Sequence, residues 1–290
     1  MFCKESNFYS LLDSGNGRKL ERFASYLIDR PCSQAVWKPM LSGAEWEKAD
    51  AFFIRGKENF WKKKLLPEGW NMEMESILMR LFPTDFGHLG IFPEHVEMWK
   101  WVRQVLSEEK RKKGRECSVL NLFAYSGGMT LAAALEGASV CHVDASRGMV
   151  DWAKENALLN RLEGAPIRWI VDDVMKFISR EAKRGNRYDA IILDPPSFGR
   201  GKRGEIFKIE EDLSHLLKKC RLLLSESPLF VLFSCHTPGY TPLVMRRLLE
   251  QTMQGKKGRM EEGEMLLSGD REAFSIPSGS YCRWRYDYRV

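Results

Sequence analysis

From Ser118 onward, short apolar runs alternate with longer amphipathic stretches. SVLNLFAY, VCHVDAS, PIRWIVDD, YDAIILDPP and PLFVLFSCH are rich in β-branched, aliphatic and aromatic residues and end in turn-forming ones, the pattern of buried strands. Between them, MTLAAALEG, SRGMVDWAKENALLNRL, VMKFISREAKRG and KIEEDLSHLLKKCRLLL carry apolar residues at helical spacing, and TPLVMRRLLEQTMQ follows the fifth run. Gly137 and Gly185 stand just past two of these helices, where a left-handed residue commonly ends one. Repeated strand–helix units predict an α/β, doubly wound and largely parallel sheet. EMLLSG and YCRWRYDY add two final strands, with a connection short enough for an antiparallel pair.

The first part of the chain has a different rhythm. YSLLDSG, NGRKLERF and ASYLIDRP read as strands joined at a Gly/Asn turn, and GWNMEMESILMRLFP reads as a further hairpin. The polar region between them carries Trp37, Trp46, Phe52, Phe53, Phe60 and Trp61, which suit the core of a small domain or, alternatively, a base-stacking platform. Thr84 to Leu106 then bridges to the regular part. Pro93 and Glu94 suit a helix's first turn, and Val96, Trp99, Val102 and Leu106 recur at helical spacing. EEKRKKGRE reads as its solvated end, with phosphate contact as the alternative. The expected organisation is a small β-rich N-terminal domain over 1–83, a bridging segment and helix over 84–117, and the α/β domain over 118–290.

Composition adds exclusions. No apolar run reaches the length of about 18 residues that a membrane span needs. The N-terminal stretch has no apolar signal core, so a cytoplasmic protein is expected. The seven cysteines are scattered without a C-x-x-C pair, which predicts free thiols and no metal site or disulfide framework. Residues 1–100 hold as many acidic as basic side chains, so the net charge of +6 arises beyond them. That modest excess suits a polyanionic substrate or ordinary solubility.

Chemistry enters at the strand ends. NLFAYSGGMT leaves the first strand through paired glycines, Gly127 and Gly128, and Asp144, Asp173 and Asp194 follow at the ends of later strands. A nicotinamide dinucleotide site would share the glycine turn and the first acid, but the turn lacks G-x-G-x-x-G. S-adenosylmethionine (SAM) gives each station a task. Backbone at Ser126, Gly127 and Gly128 can approach the methionine part. Asp144 can accept from ribose hydroxyls, and Asp173 from the adenine amine. In DPPSF, Pro195 and Pro196 remove backbone donors and fix chain direction. Asp194 can then face a planar acceptor, with Phe198 as a stacking face. The following GRGKRGEIFK is expected to be a flexible basic loop, with Arg200, Lys202 and Arg203 contacting phosphate or merely solvated.

Together the stations resemble class I SAM-dependent methyltransferases. FxxxGG, VDxS, DDVxxF, DPPSF and FSC, from Leu120 to Cys235, resemble the bacterial large-subunit rRNA cytosine-C5 methyltransferase family. The N-terminal part does not read as the RNA-binding PUA domain that many members carry. The resemblance implies a Rossmann-like, seven-stranded sheet, SAM as cofactor and RNA, chiefly rRNA, as substrate. It implies that Cys235 adds to cytosine C6, so that C5 can attack the methyl group, with Asp194 as the second catalytic group. It also implies that GIFPEH lies over the cofactor, bringing in Phe92, Pro93 and Glu94. The expected cofactor set further includes Phe123, Tyr125, Ala145, Ser146, Val174 and, from DPPSF, Asp194, Pro195 and Pro196. His236, next to Cys235, is expected to point to the opposite face. Two alternatives stay open: methylation of an amine or hydroxyl on a small molecule or protein beside Asp194, and a SAM-binding RNA module with little turnover.

Overall fold

Asn16 and Gly17, both with positive φ, make a two-residue turn between β1 (Tyr9–Gly15) and β2 (Arg18–Phe23). Left-handed residues at both positions match the twist of the strands they join. β2 pairs in turn with β3 (Tyr26–Pro31). After a short helix, α1 (Gly43–Trp46), the chain adds β4 (Ala51–Ile54) parallel to β3, and β5 (Phe60–Lys63) antiparallel to β4. The predicted second hairpin forms separately as β6 (Trp70–Met74) and β7 (Ile77–Leu81). It turns through Glu75 and Ser76, again both left-handed.

This computed structural model describes residues 8–201, 204–269 and 273–287. They fall into two units: Met1–Glu97 with Leu266–Ser278, and Met98–Met265 with Gly279–Val290. The division differs from the expected segments. Thr84–Glu97 joins the first unit because Trp61 Nε1 donates to the Thr84 carbonyl (2.8 Å) and Arg30 to that of Gly87 (3.0 Å). Leu267 and Ile276 join it through a small core with Leu11, Cys32 and Ala35. Arg30 is itself buried in a two-pronged pair with Glu21 (2.7 and 2.8 Å). Burial pushes the Glu21 carboxyl up, but Arg30 and Lys19 outweigh it and hold the acid below its ordinary range.

The second unit begins within α2 (Val96–Lys113). It continues as β8 (Ser118–Leu122), α3 (Gly128–Leu135), β9 (Ser139–Asp144), α4 (Arg147–Leu159), β10 (Ile167–Val171), α5 (Val174–Lys183) and β11 (Ala190–Leu193). A small hairpin, β12 (Phe198–Arg200) and β13 (Ile206–Lys208), precedes α6 (Ile209–Leu222), β14 (Phe230–Cys235) and α7 (Pro242–Met253). The chain then runs through β15 (Arg259–Leu267) and β16 (Ile276–Arg285). The seven-stranded sheet has the order β10-β9-β8-β11-β14-β16-β15, parallel from β10 to β14 and antiparallel at β14–β16. Every residue of β11 and β14 is buried, as strands covered on both faces must be.

Candidate active site

The parallel strands end level with one another. Leu122 pairs with Val143 and with Leu193, Val171 with Asp144, and Leu193 with Phe233. Asp144, Asp173 and Asp194 therefore leave the sheet at the same edge. β8 and β11 are neighbours, yet the strands that follow each of them are laid down in opposite directions along the sheet. Such a switch point opens a crevice between the loops leaving the two strands, the usual ligand site of an open α/β sheet. The two loops here are 123–127 and 194–197.

The first loop is strained and firmly held. Phe123, Tyr125 and Gly127 all have positive φ, at 56°, 51° and 94°. Non-glycine residues adopt that conformation at a cost of order 1–3 kcal/mol each, so surrounding contacts must impose it. Ala124 N donates to the Val143 carbonyl (3.1 Å), Tyr125 N to Asp144 Oδ2 (2.9 Å), and buried Asn156 Nδ2 to the Ser126 carbonyl (2.9 Å). Gly127 and Gly128 are needed for space as well: an added Cβ would stand 3.0 Å from Ala153 Cβ and 2.3 Å from the Trp99 ring, respectively. The loop delivers backbone N–H groups at the start of α3, as a ligand's carboxylate requires. Asn156→Ala would leave the Ser126 carbonyl buried without that donor. The variant should lose about 1–3 kcal/mol of stability and bind SAM more weakly. Urea unfolding and calorimetry check both; unchanged values would show that the loop holds its shape without Asn156.

Asp144 accepts from Tyr125 N and Ser146 N, one bond on each oxygen, both 2.9 Å. A carboxylate oxygen can accept two, so capacity remains for a diol. Burial pushes its carboxyl up, against the pull of the two backbone donors. Ala145 is half-buried, and Ser146 caps α4 by accepting from Met149 N (3.4 Å). The loop and the carboxylate together fit SAM in chemistry.

Beneath the loop, a buried polar chain ties β8, α3 and β9 together. Asn121 Nδ2 donates to Thr130 Oγ1 (2.9 Å), which lies 2.9 Å from His142 Nδ1. The hydroxyl can donate to Nδ1 or accept from it, according to the imidazole tautomer. Burial, aided by the Lys154 charge, pushes His142 down to about 3. Its folded value lies below the unfolded one of about 6.5, so the unfolded chain takes up the proton first. Its contribution to stability is complete above pH 6.5 and falls by roughly 1.4 kcal/mol per pH unit toward pH 3. His142→Asn should show a correspondingly flatter pH dependence; parallel urea-unfolding curves from pH 7 to 4 would contradict it.

Asp173 is the N-cap of α5, with Oδ1 accepting from Lys176 N (2.9 Å), and Val174 is buried in the first turn. The cap uses Oδ1. Phe92, Pro93 and Glu94 belong to the first unit. Pro93 opens a 3-10 turn, and buried Glu94 accepts from Ser278 Oγ (2.6 Å).

On the acceptor side, Asp194 Oδ1 accepts from Ser234 Oγ (2.9 Å), and Oδ2 lies 3.7 Å from His236 Nε2. Pro195 is buried and Pro196 exposed, and Ser197 and Thr237 hydroxyls join the turn to the end of β14 (2.7 Å). Alternation along β14 sets Cys235 and His236 on opposite faces, as expected, but Ser234 and His236 are the pair beside Asp194. Cys235 points the other way, into the core cluster with Val231, Phe233 and Cys282. The thiol is 1% exposed, and burial, together with the Asp194 charge, pushes its titration up despite the Thr237 donors. A nucleophilic thiol needs exposure and an electropositive setting. In this structure Cys235 has neither: it is buried, and its Sγ accepts from Thr237 N (3.4 Å).

The expected flexible loop after DPPSF is instead the β12–β13 hairpin. Phe198 pairs with Lys208, Gly199 with Phe207 and Arg200 with Ile206. Buried Phe207 lies against Phe123 of the strained loop, with ring centroids 5.3 Å apart. Phe198 is 54% exposed and Arg200 is exposed on the outer face. Lys202 and Arg203 lie outside the described residues. Asn156, Ser234 and Phe207 were not singled out in the sequence, and only FSCH, with Ser234 and His236 two apart on a strand end, held a usable signal for them.

Residues 62–255 match the S-adenosylmethionine-dependent methyltransferase family. The chain belongs to that family. SAM is thus the methyl donor of this methyltransferase. A SAM-dependent methyltransferase from Agrobacterium tumefaciens is 36% identical, with a TM-score of 0.91 over 98% of this chain and 92% of that one. SMU.776, a putative methyltransferase solved with SAH, shares the fold at 18% identity and a TM-score of 0.71, covering 97% of this chain and 76% of that one. A protein of Pseudoalteromonas atlantica named ribosomal RNA large subunit methyltransferase K/L is 42% identical over 178 residues, 61% of this chain. The methyltransferase aligns with only 22% of that relative's length. Among the described residues no helix is long and apolar enough to cross a membrane.

Proposed function

We propose that this methyltransferase modifies a base of ribosomal RNA, and that the acceptor is a nitrogen held at Asp194 rather than a cytosine carbon activated by Cys235. The RNA part is supported by the K/L relatives, whose name specifies the large-subunit rRNA. The nitrogen part rests on one observation: Ser234 and His236 flank the Asp194 carboxylate, while Cys235 faces the core.

SAM supplies an electrophilic methyl group on a sulfonium. The loop 123–127, Asp144 and Asp173 hold the cofactor. Phe198 gives an unstacked base a face to rest on. Asp194 accepts an N–H of that base and aims the nitrogen lone pair. Ser234 fixes the carboxylate's rotation, so its acceptor direction is set before the base arrives. The proton released when nitrogen forms its new bond passes to the Asp194–His236 pair and on to water. A thiol adduct has no part in this scheme.

The decisive experiment supplies methyl-tritiated SAM and rRNA from cells lacking the protein, then identifies the labelled nucleoside. An N-methylated base is the expected product. 5-Methylcytidine would overturn the nitrogen acceptor, and label that survives RNase would overturn RNA as the substrate class.

A further inference from the structure

The free edge of the first unit's five-stranded sheet carries a surface that methyl transfer does not use. Between Arg55 and Lys64 the sequence has five cations and a single acid, Glu58, within a first hundred residues whose total charge is balanced, so the rest of that stretch is net acidic. All five cations are exposed. Among the described residues, the side chains of Arg55, Lys57, Lys62 and Lys63 have no hydrogen-bond or ion-pair partner. A run of cations used only for solubility is commonly interleaved with acids. This one is not.

The strand pairing gives the surface two faces. Phe53 opposes Trp61 on the inner face, where Phe53 is 1% exposed and the ring centroids are 5.0 Å apart. Ile54 opposes Phe60, and Phe52 opposes Lys62, so these four share the outer face. Phe60 is 51% exposed, Phe52 and Ile54 are half-buried, and Lys64 Nζ lies 4.8 Å from the Phe52 ring centroid. The outer face therefore carries an aromatic and aliphatic patch with Lys62 on it, and Arg55 and Lys57 stand in the connection that joins its two strands. β5 is the last strand of its sheet, so no further strand covers it.

We propose that this face docks a single-stranded segment of the RNA substrate, with Phe60 stacking on a base and Arg55, Lys57 and Lys62 contacting phosphates. The proposal rests on the rRNA reading above. Charge complementarity selects a polyanion, and the exposed ring selects one with unpaired bases, since a duplex buries its base faces. An acidic protein would engage the cations but gain little from a stacking ring.

The test uses the full chain, a fluorescent single-stranded RNA oligonucleotide and a matched duplex, with binding read by anisotropy across a salt series. Replacing Arg55, Lys57 and Lys62 together by alanine should weaken single-strand binding at least about tenfold near 0.1 M salt and reduce the slope of log K against log salt by about 2. Phe60→Ala should weaken binding about fivefold or more and leave the slope unchanged. In turnover assays both variants should raise KM for rRNA and leave KM for SAM as it was. If the wild type methylates rRNA while both variants keep its affinity and slope, the docking surface is refuted. Equal losses on duplex and single strand, or no effect of Phe60→Ala, would refute single-strand stacking. A wild type that transfers no methyl group to rRNA would instead remove the functional reading, and this proposal with it.

Discussion

Asp194→Ala should lower turnover on rRNA by about 10²–10⁴-fold, the usual range for a positioned proton acceptor. SAM affinity should fall far less, because Asp144 and the strained loop stay intact. Asp194→Asn is the sharper variant. It keeps the shape and the Ser234 bond but turns an acceptor-only group into one that also donates. It should lose nearly as much turnover as the alanine variant. Cys235→Ala gives the contrast: with its thiol in the core, the variant should turn over at close to the wild-type rate and show a modest loss of stability. Rates under saturating SAM and rRNA check all three. An inactive Cys235→Ala chain that still folds and binds SAM, paired with an active Asp194→Ala, would return the mechanism to thiol addition at C6.

The contrast between those residues also shows what the sequence could reveal. Strand and helix order from Ser118 onward followed from periodicity, because each apolar run was bounded by a glycine, proline or charged turn. The level strand ends and the acids on them followed from the same pattern. β4 and β5 were not legible. β4 pairs in parallel with β3 across a long connection, and no Asn-Gly or Asp-Gly turn marks β5. The β12–β13 hairpin was hidden by its glycines and basic residues, which read as loop, while its anchor is a single ring, Phe207, against Phe123. Facing was the other gap. Alternation separates Cys235 from His236, but sequence does not say which face of β14 meets Asp194. That is set by the pairing of β11 with β14, through Leu193 and Phe233. Family resemblance pointed to the cysteine; the register sets Ser234 and His236 beside Asp194, which is what the nitrogen-acceptor proposal builds on.

Asp144→Ala should weaken SAM binding by roughly 10²–10³-fold, about 3–4 kcal/mol, since it removes the acceptor for the ribose hydroxyls and also the anchor of the loop. Sequence alone suggests only the first loss. The carboxylate accepts from Tyr125 N and Ser146 N, so the same side chain shapes the glycine loop and the start of α4. Asp144→Asn is not a mild change here. The amide keeps one acceptor oxygen and sets an NH₂ group against one of the two backbone donors. That clash falls on Tyr125 or Ser146. Tyr125 has the more to lose, because its left-handed backbone depends on outside support. The asparagine variant should therefore lose stability as well as SAM affinity, with both losses appearing together in calorimetry and urea unfolding. An Asp144→Asn chain of normal stability and weakened SAM binding would mean that the carboxylate serves the ribose alone. Wild-type SAM affinity in Asp144→Ala would remove the residue from the cofactor site altogether.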